Sequence, residues 1–155
     1  MRRALLILVL LLPGVALADP AVSIDGAWCQ VSRVKPDTAV VYLTMTLEDE
    51  ETDQLVGVET PVAGKVDILA LQKDHGRSVM RKTASITLDA AAPTVFQPQD
   101  THLVLTGITQ KLAVGDTFPL TLEFSGAGKQ DVTVMVVKQP PSAGMPDPPK
   151  GVKME

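Results

Sequence analysis

Aromatic residues are scarce in this chain, with three Phe, one Tyr and one Trp in 155 residues. Single strands of nucleic acid are held on stacked aromatics and duplexes on a basic footprint. The chain offers neither, because acidic residues outnumber basic ones by 18 to 14 and the formal charge is -4. The same charge opposes adsorption on an anionic membrane surface. Cysteine is reduced to Cys29, so no disulfide can close within the chain. A lone thiol in an oxidising compartment is either buried or a route to a covalent dimer, and Cys29 is expected to pack inward as a small hydrophobe. Two histidines, His75 and His102, leave little capacity for general-base chemistry. There is no G-x-S-x-G, no H-E-x-x-H and no recognisable Cys–His pair, and the chain reads as a non-enzyme.

Long apolar runs are missing after the N-terminus. Arg2 and Arg3 precede the apolar run Ala4 to Leu12, Pro13-Gly14 breaks it, and Ala16-Leu17-Ala18 is a small-x-small site. This is the pattern of a cleavable secretory signal over residues 1–18, and the run is shorter than the roughly 20 residues a spanning helix needs. A mature chain from Asp19 has no membrane span and carries 12 basic against 18 acidic residues. Its expected location is the periplasm. At the other end, five of the seventeen residues from Gln139 to Glu155 are proline, which marks a flexible tail of polyproline character.

Between these ends, no helical period is present. Ala39 to Leu47 is the clearest strand, with Val41, Leu43, Met45 and Leu47 on one face. Ala27 to Val34 reads as an earlier strand in which neither alternating set is purely apolar. Glu48 to Asp53 reads as a solvated acidic hairpin tip rather than a hard-cation loop. Lys65 to Leu71 and Val79 to Lys82 read as two strands of a hairpin joined by the polar stretch 72–78. Asp131 to Lys138 is rich in β-branched residues and is expected to be central or buried on both faces. About nine short strands with frequent turns predict an all-β sandwich or barrel over residues 19–138.

Several stretches of this core carry a resemblance. They are Ala27-Trp28-Cys29-Gln30, Val41-Tyr42-Leu43-Thr44, Asp53 to Val58 followed by Pro61-Val62-Ala63, Val79-Met80-Arg81, His102-Leu103, and Gly107 through Phe124. Together the chain resembles the PCu(A)C-type periplasmic copper chaperones across roughly residues 25 to 137. The resemblance implies a cupredoxin-like β-sandwich that binds Cu(I) and delivers it for assembly of the copper centre of cytochrome c oxidase. The implied partners are an oxidase subunit or another copper carrier. In that family two His and two Met hold the ion, a set suited to Cu(I) because thioethers are soft and imidazole is borderline.

At the matching positions this chain has other residues. Leu69 stands where the first His belongs, Leu71 where a nearby Met often sits, Lys82 at the return-strand Met and Val104 at the last Met. His102 alone matches a ligand. Two readings follow. A rebuilt site would gather His75, Met80 and His102. Alternatively the scaffold is a metal-free protein-binding module in which Leu69, Leu71 and Val104 form an apolar docking surface, with the Pro-rich tail as a second contact. Met145 and Met154 in the tail are further thioether donors.

Overall fold

The computed structural model describes residues 22–48 and 52–140. The signal expected over 1–18 and all but the start of the Pro-rich tail lie outside the described residues.

Among the described residues ten strands follow one another: β1 Val22–Val31, β2 Thr38–Leu47, β3 Thr52–Glu59, β4 Ala63–Asp74, β5 Arg77–Thr83, β6 Ile86–Asp89, β7 Thr94–Val95, β8 His102–Ile108, β9 Thr117–Phe124 and β10 Gly128–Val136. They form one sheet in the order β5-β4-β8-β2-β1-β10-β9-β3-β6, with β7 on β2. Two antiparallel halves are joined where β1 runs parallel to β10, through Trp28↔Met135 and Cys29↔Val136. The halves fold over a shared core, with β6 against β2 and β3 against β4. The expected all-β sandwich is the observed architecture, with ten strands rather than about nine.

Alternation fixes the inward face. Val41, Leu43, Met45 and Leu47 of β2 are buried as expected, and they meet Leu103 and Leu105 of β8 and Leu120, Leu122 and Phe124 of β9 in one cluster. Cys29 lies in the same core, and burial pushes its thiol up to about 12. In β10, Val134 and Val136 are buried while Asp131 and Thr133 are exposed, so this strand is central but buried on one face only.

β1 begins at Val22, five residues before the expected start, and its mixed pattern has a structural cause. Asp25 pairs with Thr44 but Trp28 pairs with Tyr42, so β1 carries one extra residue there. Gly26 adopts a φ of 58°, the left-handed conformation that such a bulge places on glycine. Before the bulge Val22 and Ile24 face the core. After it Ala27 and Cys29 do, and Trp28 turns outward.

The acidic stretch also differs from expectation. Asp53 belongs to β3 and is buried, with 5% of its surface exposed. Its carboxylate accepts bonds from the backbone N–H of Gln54 (2.7 Å), Gly126 (2.8 Å) and Ala127 (2.9 Å) and from the Ser125 hydroxyl (2.9 Å). It thereby ties β3 to the β9–β10 turn. Burial raises this carboxyl's pKa, but those donors outweigh burial and hold it below the ordinary carboxylate value.

Candidate metal centre

One row of side chains crosses six strands on the outward face. In order they are Lys82 on β5, Leu69 on β4, His102 on β8, Tyr42 on β2, Trp28 on β1 and Met135 on β10. Leu69 is paired with both Lys82 and His102, and Trp28 with both Tyr42 and Met135. The row closes between His102 and Tyr42, whose ring centroids lie 6.0 Å apart. Trp28 and Tyr42 are closer still, at 4.3 Å with planes tilted by 35°. The Gly26 bulge therefore matters to this face, since it sets the side of the sheet on which Trp28 stands.

His102 is half-buried, and its Nδ1 lies 2.6 Å from the backbone oxygen of Asp100. A carbonyl oxygen can only accept, so Nδ1 is the donor, and in the neutral ring the lone pair is on Nε2. A ring held this way is set as metal-binding imidazoles usually are, with the second nitrogen anchored to a carbonyl.

Its immediate neighbours supply no thioether, and Met135, the thioether of the row, stands three strands away on β10. Leu69 is a hydrocarbon. The Lys82 ammonium lies 2.5 Å from Asp67 Oδ1, and Lys65 approaches Asp67 Oδ2 at 3.1 Å. The bond to Lys82 is the largest influence holding the Asp67 carboxyl below its ordinary value, and the bond to Asp67 raises the Lys82 ammonium. Val104 is half-buried opposite Asp67.

Met80 and His75 lie further out along β4–β5. Met80 is half-buried and opposite Leu71, one step beyond Leu69–Lys82 on the same face. With about 4.8 Å between strands and 3.4 Å per residue, its backbone is about 12 Å from that of His102. The stretch 72–78 is not a loop. β4 continues to Asp74, and His75 (φ 46°) with Gly76 (φ 79°) forms a two-residue turn with both φ positive, the form that suits strand twist. His75 is six residues from Leu69, roughly 20 Å along an extended strand. Its side chain is 97% exposed beside Asp74, at 3.5 Å. The structure thus brings Leu69, Lys82, Val104 and His102 together and leaves His75 at a distant tip. Leu71 is exposed, at 40%, while Leu69 and Val104 are half-buried. Among the described residues no three His, Cys, Asp or Glu side chains cluster as metal ligands. A shallow pocket of about 460 Å³ opens beside the row, with Gln30, Val40, Tyr42 and Val114 in its wall. Trp28 and Tyr42 entered the sequence reading only as scaffold positions. Their place in the row depends on register and a bulge.

The LpqE-like lipoprotein family model matches residues 22–136, the whole described sandwich. The chain belongs to the LpqE-like family. Its one cysteine is buried within β1. Solved structures with the same fold include PCuAC domains and DR1885. The copper-bound PCuAC domain from PmoF2 aligns with a TM-score of 0.65 at 20% identity, over 77% of this chain and 95% of that one. Apo-DR1885 from Deinococcus radiodurans aligns at 0.60 and 24% identity, over 90% and 95%. Its Cu(I) form aligns at 0.63 and 26% identity, over 79% and 82%. No curated protein matches the chain. The scaffold is that of PCuAC domains, and no described helix is long and apolar enough to cross a membrane.

Proposed function

We propose that this protein is an exported, copper chaperone-like member of its family that works as a metal-free binding module. The signal pattern of residues 1–18 supports export of a mature chain from Asp19 onward, with the periplasm as its location. The carrying observation is the Lys82–Asp67 ion pair beside Leu69 and His102. At the position where the resemblance implies a thioether, an ammonium repels a cation and has no lone pair to offer. Leu69 and Val104 have no donor atom. One imidazole does not make a high-affinity Cu(I) site. The face instead offers half-buried apolar side chains with an aromatic pair, suited to contact with a protein such as a copper carrier or an oxidase subunit.

A second reading is favoured by one observation, the fixed His102 ring with its free Nε2. In that reading the chain carries Cu(I) on His102 with Met80 and delivers it for assembly of the cytochrome c oxidase copper centre. A Cu(I) competition titration against a chromophoric chelator, run on the mature protein and on His102→Ala, separates the two. The metal-free reading expects no difference between the proteins. One equivalent taken up by the parent and lost in the variant would sink it in favour of the chaperone reading.

A further inference from the structure

The β4–β5 ribbon carries a charge opposite to that of the protein. Residues 63–83 hold five basic and two acidic side chains, against nine basic and sixteen acidic in the rest of the chain. Both acids are engaged inside the ribbon, Asp67 with Lys82 and Lys65, and Asp74 with Arg81 at 2.5 Å. Lys73 and Arg77 flank the tip and are exposed. Pairing with β8 stops at Leu69↔His102, so Ala70–Asp74 and Arg77–Arg81 pair only with each other. This segment extends about 17 Å beyond β8. A two-stranded ribbon alone is marginal in water. It nevertheless exposes Leu71 (40%) and Val79 (36%) on opposite faces, and β5 is a terminal strand of the sheet.

We propose that β5 takes up an extended acidic segment of a partner protein as an added strand. In a two-residue hairpin the closing pair, Asp74 and Arg77, exchanges ladder bonds. Ladder bonds then run inward from Arg77, Val79 and Arg81, and the backbone groups of Ser78, Met80 and Lys82 face the free edge. Strand addition satisfies those groups, and alternating carboxylates of the guest meet Arg77 and Arg81, which share the face of Val79. The same charges repel a second copy of β5, since basic edges resist self-pairing. This inference stands apart from both copper readings, because it uses none of His102's chemistry.

The test is an amide NMR titration of the mature protein with a synthetic octapeptide alternating Glu and Thr, and with its Lys–Thr counterpart. The acidic peptide is expected to shift amides within residues 77–83, with cross-strand contacts to β5, and the basic one to leave them unmoved. Arg77→Glu is expected to weaken binding roughly tenfold. Ser78→Pro, which removes an outward donor and leaves the β4–β5 ladder intact, is expected to abolish it. Equal binding of both peptides, shifts centred elsewhere, or no shift at millimolar peptide overturns the proposal. So do concentration-dependent β5 shifts without peptide, which would make a second copy the occupant.

Discussion

Lys82 Nζ and Asp67 Oδ1 stand 2.5 Å apart on the outward face of β4–β5, and Lys82 is directly opposite Leu69. A fixed positive charge thus stands at the position where the family resemblance of the sequence implies a thioether ligand. Asp67 compensates that charge within the protein, and Lys65 completes the cluster. Two ammonium groups on one carboxylate leave the cluster positive, which disfavours a cation there.

The first prediction restores the donors. Leu69 and His102 are direct cross-strand partners, so Leu69→His places two imidazoles side by side on one face. Lys82→Met adds a thioether opposite residue 69 and removes the repelling charge, while Asp67 retains Lys65. Val104→Met adds the fourth donor. The triple variant is expected to take up one equivalent of Cu(I) in a chelator competition. Lys82→Met alone is expected to bind no more than the parent protein, because one new thioether leaves the set incomplete. Tight binding by the single variant would mean that Met80 already acts as a donor.

The second concerns Asp53. Asp53→Ala strands three backbone N–H groups and the Ser125 hydroxyl, and is expected to cost about 3 kcal/mol in urea unfolding. Gly126→Ala is expected to destabilise as well, since an added Cβ would lie 3.1 Å from the Asp53 carboxylate, which its four bonds prevent from moving away. The folded-state pKa of Asp53 is depressed, so the unfolded chain binds its proton more readily. This contribution is therefore present above the unfolded value of about 3.9 and is lost as pH falls through the folded one. Urea midpoints measured from pH 6 down to 3 should fall less steeply for Asp53→Asn than for the parent.

Legibility in the sequence followed from whether a residue's surroundings are local. The inward set of β2 was readable because Val41, Leu43, Met45 and Leu47 alternate without interruption and all are buried. β1 was not, since one extra residue at Gly26 exchanges its two faces midway. Residues 72–78 resembled a loop because both faces of a projecting ribbon meet water, which removes the apolar alternation that marks a strand. Asp53 resembled the acidic residues before it, while three of its four partners lie more than seventy positions away. The individual positions Leu69, Lys82, His102 and Val104 were readable. The row that joins them to Tyr42 and Trp28 exists only in the register of six strands.

The third prediction isolates the β1 bulge. Gly26 has a φ of 58° and nothing within 4 Å of the place a Cβ would occupy. Gly26→Ala therefore meets a conformational penalty with no steric one, expected at about 1 kcal/mol. Gly26→Asn, which tolerates this conformation better, is expected to cost less. Urea unfolding followed by the fluorescence of Trp28 checks both. A shifted native emission in Gly26→Ala would show that Trp28 has left its place against Tyr42.

The last prediction follows from the position of Cys29 in the core. Its side chain is fully buried, and burial pushes the thiol up to about 12. The thiolate is the nucleophile, so at pH 8 only about one molecule in ten thousand carries the reactive form even before access is considered. Native protein is expected to react with a thiol reagent far more slowly than protein in guanidinium, where one equivalent should react at once. No disulfide-linked dimer is expected to accumulate under oxidising conditions that preserve the fold. Cys29→Ala trims a small buried side chain and is expected to cost about 1 kcal/mol. Cys29→Ser instead places a hydroxyl among Val41, Leu43 and Val136 and is expected to cost about 2 kcal/mol. If native labelling were fast, Cys29 would be reached by local opening of β1 from β10, where only two residue pairs join the strands. Amide exchange at Val137, whose N–H donates to the Cys29 carbonyl, would then be fast as well.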